Sequence, residues 1–144
     1  MTSRPIDTTF LRRCIQTLER AYIKLNELPT KDHPDFELYR AACVKEFELV
    51  LEQGGKLLRK RISAYFASAK DAARLTYKDL FRHASRHDLM DITTVERWIQ
   101  YRDNRNDTVH DYGEGFAEST LVLLPRFIVD ANALADLIEQ KSDD

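Results

Sequence analysis

Little in this sequence bends or breaks a chain. Four glycines and four prolines in 144 residues leave few turn signals. No run of alternating apolar and polar residues bounded by such signals rises above a helical pattern, which argues against strands and for an all-α domain. Cysteine is scarce too. Cys14 and Cys43 stand far apart in apolar helical patterns and match no metal-ligand spacing, so both read as buried small hydrophobes. No apolar stretch reaches the roughly 18 residues that a membrane-crossing helix needs, and the opening MTSRPIDTTFLRRC lacks the apolar run of a signal peptide. A soluble, cytoplasmic protein with no membrane partner is expected. Nor does charge of one sign dominate. Lys and Arg total 22 against 24 Asp and Glu, for a net charge of −2, so any binding of nucleic acid must come from a local patch.

What is present is helical period. At 144 residues and 43% hydrophobic, the chain is the size of one domain with one core, so residues 1–144 are read as a single domain. Asp7, Thr8 and Thr9 supply N-cap chemistry for a first helix over about 8–27, with Phe10, Leu11, Cys14, Leu18, Tyr22 and Leu25 at spacings of three and four before Pro29. Phe36, Cys43, Phe47, Val50, Leu51, Leu58, Ile62, Tyr65 and Phe66 predict one long helix over about 35–69. Gly54 and Gly55 lie inside it, where each costs about 1 kcal/mol relative to alanine. Close approach of another helix explains them more simply than a ligand contact. A third helix is expected from Thr76 to about His87, and a fourth from Thr93 or Thr94, with Glu96 assisting its cap, toward His110. A fifth runs over about 116–140, kinked at Pro125. Long helices joined by short connections give an antiparallel bundle of about five helices.

The fourth helix carries an anomaly. With Val95 and Ile99 toward the core, about 100° per residue places Arg102 and Asn106 on the same stripe, where apolar side chains belong. A buried arginine is costly unless it is paired. An internal network of Arg102 with Asp103 or Asp107, or a helix rotated toward solvent, would satisfy the pattern; so would a functional site.

The segment Arg105, Asn106, Asp107, Thr108, Val109, His110, Asp111, Tyr112 reads R-N-x-x-x-H-x-Y. This closely resembles the signature of HepT-like HEPN proteins, in the branch of nucleotidyltransferase substrate-binding proteins. Phe47, Glu48, Glu52, Lys56 and Leu58 resemble the family's F-E-x-x-x-E-x-x-W-K-x-L helix, and Glu96, Trp98 and Ile99 resemble the lead-in to its R-N segment. Gly55 departs from the pattern, standing where the branch usually has tryptophan, which puts the local packing beside the site in question. The likeness spans roughly residues 10 to 140.

The resemblance implies a HEPN-like helical bundle that works as a homodimer, and an endoribonuclease toxin of a toxin–antitoxin system. Its site would comprise Arg105 and His110, supported by Asn106 and Arg102, and its substrate would be cellular RNA such as mRNA or tRNA. It also implies a Mnt-type nucleotidyltransferase antitoxin that transfers AMP from ATP onto Tyr112. The ATP and Mg would belong to that partner, leaving this chain with no cofactor and no metal of its own.

The chemistry of the residues is compatible with that role. Histidine, with a reference pKa of about 6.5, moves protons near neutrality, and arginine offers phosphate a permanently charged fork of donors. On an unbroken helix Arg105 and His110 would diverge by about 140°, so they converge on one phosphate only if the helix ends near His110. Gly113 and Gly115 provide such a break. One histidine supplies one proton group, and a homodimer that brings two copies into one cleft would supply both acid and base. Asn106 lies one turn before His110 and can orient its ring or the phosphate. Tyr112 lies seven residues from Arg105, about 10.5 Å along a continuous helix, so AMP there would compete with RNA for the same cation. A tyrosine beside a loop can equally be packing.

Other clusters carry less. Lys56, Arg59, Lys60 and Arg61 form a basic run in which Lys56, Arg59 and Lys60 can hold RNA backbone, although a solvated helix face has the same composition. His83 and His87 have the i, i+4 spacing of a metal pair but no third ligand in sequence. No glycine-rich phosphate loop and no G-S then D-x-D pattern appears, so the chain is expected to accept AMP rather than transfer it. The alternative reading is a non-catalytic subunit that docks a nucleotidyltransferase or presents substrate to it; a purely structural bundle is the third.

Overall fold

The computed structural model describes residues 5–107 and 114–140. Six helices and no strand occur among them: α1 (Thr9–Glu27), α2 (Phe36–Ser63), α3 (Ala69–Ala73), α4 (Tyr77–Arg86), α5 (Ile92–Asp107) and α6 (Glu114–Glu139). The all-α bundle expected from the sequence is what forms. It has one more helix than expected, because the second periodic stretch stops at Ser63 rather than near residue 69. Ser68 then caps a separate short helix, its hydroxyl accepting from the Asp71 amide. The start of α5 also differs. Asp91, not Thr93 or Thr94, caps it, its carboxylate accepting from the Thr94 amide at 2.7 Å. The start of α4 is as read, with the Thr76 hydroxyl accepting from the Asp79 amide at 3.1 Å.

The core follows from the periodicity. Leu11, Cys14, Ile15 and Leu18 of α1 face Cys43, Phe47, Val50 and Leu51 of α2, and Leu124, Phe127, Ala131 and Leu134 of α6 close over them. Phe47, Phe81, Trp98, Tyr101 and Phe127, drawn from four helices, form the aromatic centre. Trp98 stacks on Phe81 at 5.1 Å and meets Tyr101 edge-on at 5.4 Å, geometries worth about 0.5–1.5 kcal/mol per pair beyond burial. Burial pushes the Cys14 and Cys43 thiols up to about 11, so both remain protonated apolar fillers at neutral pH.

The two interior glycines have the helix-packing explanation. A Cβ on Gly54 would come within 2.9 Å of Leu134 Cδ2 on α6, and one on Gly55 within 2.7 Å of Tyr77 Cε2 on α4. α6 runs through Pro125 to Glu139, forgoing the hydrogen bond that the Leu121 carbonyl would otherwise accept at that turn. Two polar clamps fasten the bundle. Arg12 of α1 pairs with Asp136 and Glu139 of α6, and Glu139 also accepts from the Thr8 hydroxyl at 2.6 Å. The second clamp surrounds Asp130, which is buried on α6. It accepts from Arg97 at 2.8 and 2.9 Å and from the Tyr101 hydroxyl at 2.5 Å. Among the described residues no helix is long and apolar enough to cross a membrane.

Candidate nucleic-acid interface

The register of α5 decides which side chains leave the core. Val95, Trp98 and Tyr101 are its buried positions among the described side chains. Ile99 is only half-buried, so the core stripe passes through Tyr101 instead of Arg102. The buried-arginine anomaly expected from Val95 and Ile99 is therefore corrected by a rotation of the helix. Large rings at Trp98 and Tyr101 fill the aromatic centre better than Ile99 and Arg102 can, and Arg102 moves to the edge. Neither does Arg102 pair with Asp103, which binds Lys78 Nζ of α4 at 2.9 Å. The Arg102 guanidinium instead lies over the Tyr77 ring, 5.0 Å from its centroid.

Three helices converge beside that stack. Glu48, Glu52, Gly55, Lys56 and Arg59 line one stripe of α2 at helical spacing and bound a groove of about 410 Å³, with Tyr77 of α4 and Arg102 and Arg105 of α5 forming its other walls. Arg105 Nε stands 3.9 Å from Glu48 Oε2, both side chains partly exposed. The Tyr77 hydroxyl donates to the Leu51 carbonyl at 3.3 Å, and burial raises its pKa well above the ordinary phenol value, so it stays a neutral donor.

Of the residues expected at the site, Arg102, Arg105, Lys56 and Arg59 share this groove. Arg59 is also structural. Its Nη1 donates to the Ala72 and Leu75 carbonyls at 2.7 and 2.8 Å, holding α3 and the turn before α4. Lys60 is exposed and does not line the groove; its charge acts on Asp7, just before α1. His110 and Tyr112 lie outside the described residues, between Asp107 and Glu114, and so does the side chain of Asn106. Glu48 and Glu52 entered the sequence reading only through the family likeness, and Tyr77 was assigned no role there. The two glutamates had a signal, a shared helical face with Lys56 and Arg59. Tyr77 had none, because its place depends on how α4 docks.

His83 and His87 are ring partners. Their centroids are 6.3 Å apart, His87 stacks on Tyr65 at 3.9 Å, and His83 meets Phe66 edge-on at 5.1 Å. Partial burial, then the charges of Arg86 and His87, lower the pKa of His83. Among the described residues no three His, Cys, Asp or Glu side chains are grouped to hold a metal.

Residues 13–140 match the family described as nucleotidyltransferase substrate binding protein like. The chain belongs to that family. This nucleotidyltransferase substrate-binding-protein-like chain is also 26% identical, over 102 residues, to a Haemophilus influenzae protein named probable ribonuclease HepT, covering 71% of this chain and 68% of the relative. The HepT-like resemblance read from Arg105, His110 and Tyr112 thus stands at the level of the family. Two solved structures share the fold. A Haemophilus influenzae protein, described as revealing the fold of a substrate binding domain of a nucleotidyltransferase, superposes with a TM-score of 0.80 at 23% identity, covering 93% of this chain and all of the other. A Thermus thermophilus protein gives a TM-score of 0.65 at 19% identity, over 90% of this chain and 99% of its own.

Proposed function

We propose that this family member is a HepT-type endoribonuclease toxin that cleaves cellular RNA with Arg105 and His110. The observation that carries the reading is the convergence of Arg105, Arg102, Lys56 and Arg59 on one groove, a local cationic patch on a chain whose net charge is −2. The ribonuclease name of the relative supports it.

The step is a transesterification. One histidine takes the proton of a 2′-hydroxyl, the 2′-oxygen attacks phosphorus, and the P–O5′ bond breaks as a second histidine protonates the leaving oxygen. The products are a 2′,3′-cyclic phosphate and a 5′-hydroxyl. Arg105 stabilises charge on the non-bridging oxygens, with Asn106 and Arg102 in support. A homodimer that pairs two copies of His110 supplies both proton groups, and no metal enters the step. A Mnt-type nucleotidyltransferase silences the toxin by joining the AMP of ATP to the Tyr112 oxygen with release of pyrophosphate. The added phosphodiester then competes with RNA for Arg105.

Incubation of the wild type, Arg105→Ala and His110→Ala with total tRNA and mRNA, with and without EDTA, tests this. Cleavage by the wild type alone, unchanged by EDTA, is expected; cleavage retained by either variant overturns it. Intact mass after coexpression with the nucleotidyltransferase should rise by whole AMP units, and Tyr112→Phe should abolish the rise.

The second reading is a non-catalytic subunit that docks a nucleotidyltransferase or presents its substrate. The family description favours it, as do the Glu48 and Glu52 carboxylates in the groove, which repel a polyanion. It requires association with the nucleotidyltransferase to survive Arg105→Ala and His110→Ala, with no cleavage by the wild type.

A further inference from the structure

We propose that the groove between α2, α4 and α5 seats one unstacked guanine of single-stranded RNA, and that Glu52 selects it. The inference rests on the ribonuclease reading for its substrate class and adds the base that is read.

The floor is a stacking platform. Arg102 lies over the Tyr77 ring at 5.0 Å, and both side chains line the groove. Single-stranded bases bind proteins by stacking on aromatic rings and on arginine planes. Gly55 makes the platform possible, because any side chain there would push the Tyr77 ring away from α2. At about 410 Å³ the groove accommodates a base together with its phosphate.

The carboxylates set the selectivity. Lys56, Arg59, Arg102 and Arg105 suit a phosphate, and an acidic side chain beside them opposes one. Glu48 has an evident partner, Arg105 Nε at 3.9 Å. Glu52 lines the same wall one turn on, exposed, with no hydrogen bond or ion pair to any described residue. Its chemistry calls for neutral donors rather than phosphate oxygens. Guanine presents two adjacent donors, N1–H and the N2 amino group, which match the two oxygens of one carboxylate. Adenine and cytosine each set a ring acceptor beside their amino donor, and uracil flanks its single donor with two carbonyls, so each brings an oxygen or nitrogen lone pair against the carboxylate. One helical turn separates Glu52 from Glu48 by about 6 Å. That is the scale of one nucleotide, and it places the selected base next to the phosphate held at Arg105.

The test uses octamers of 2′-O-methyluridine carrying one central guanosine, inosine, adenosine, cytidine or uridine, each likewise 2′-O-methylated. They bind without being cut, because the attacking hydroxyl is blocked. Fluorescence polarisation should show the wild type binding the guanosine octamer about tenfold tighter than the uridine one, with inosine, which lacks the N2 amino group, in between. Glu52→Gln should erase most of that preference while binding the all-uridine octamer at least as well, since a negative charge is removed from the groove. Equal binding of all five octamers by the wild type, or a guanine preference that survives Glu52→Gln, overturns the proposal. Cleavage of unmodified RNA is read in parallel. Cutting without guanine preference sinks the base selection and leaves the ribonuclease reading intact. No RNA binding at all, with capture of the nucleotidyltransferase lost in Glu52→Gln, assigns the carboxylate to a protein partner and overturns both.

Discussion

The Tyr77 ring fills the space that a side chain at position 55 would need: a Cβ on Gly55 would stand 2.7 Å from Tyr77 Cε2. Gly55→Ala raises intrinsic helix propensity by about 1 kcal/mol, yet the overlap with the half-buried Tyr77 ring costs about 1–3 kcal/mol. The substitution should therefore lower stability in urea unfolding. In a Tyr77→Ala background the ring is gone, and the same change should raise stability. A sign that does not invert between the two backgrounds would show that Tyr77 is not what excludes a side chain there.

Asp130 is buried and holds both Arg97 and Tyr101. Burial and its hydrogen bond to Asp130 raise the pKa of Tyr101, keeping the phenol protonated as donor. Asp130→Ala strands two donors and should cost about 3 kcal/mol. A loss below about 1 kcal/mol by chemical denaturation would mean that α5 and α6 hold together without this clamp.

Glu139 contributes to stability with a defined pH window. Hydrogen bonds from Arg12 and Thr8 lower its pKa from 4.5 to about 2. A depressed carboxylate stabilises the fold above pH 4.5 and loses that contribution as pH falls toward 2. Because the pair meets solvent, Glu139→Gln should cost only about 1 kcal/mol at neutral pH. The gap in melting temperature between wild type and variant should narrow as pH drops through this window; a constant gap would assign the effect to packing.

Lys56 lines the groove without a hydrogen bond or ion pair to any described residue. If it contacts one RNA phosphate, Lys56→Ala should reduce the slope of log affinity against log salt by about 0.7 for a single strand. Lys60→Ala, on a residue outside the groove, should leave the slope unchanged.

The helices were legible in the sequence wherever an apolar stripe and a cap occurred together. Thr76, and the run from Leu11 to Leu25, placed α4 and α1 almost to the residue. The break after Ser63 was not legible, since Tyr65 and Phe66 continue the apolar period while packing on His87 and His83 rather than in a helix. The orientation of α5 was misread because Val95 is compatible with either neighbouring stripe. Only the docked rings of Phe81 and Phe127 select Trp98 and Tyr101 over Ile99 and Arg102. Arg105 was singled out by its motif. The wall that faces it, from Glu48 to Arg59, came into view as a groove only once α2, α4 and α5 had been assembled.

Positions 55 and 77 share one volume, and that ties their histories together. A tryptophan at position 55 would have its ring delivered by α2, whereas this chain delivers one from α4 through Tyr77. Moving between the two arrangements requires paired change, because a large residue at both positions cannot be housed and a small residue at both leaves the groove without a floor. Across the family the two positions should therefore vary in opposition, bulk at one accompanied by its absence at the other.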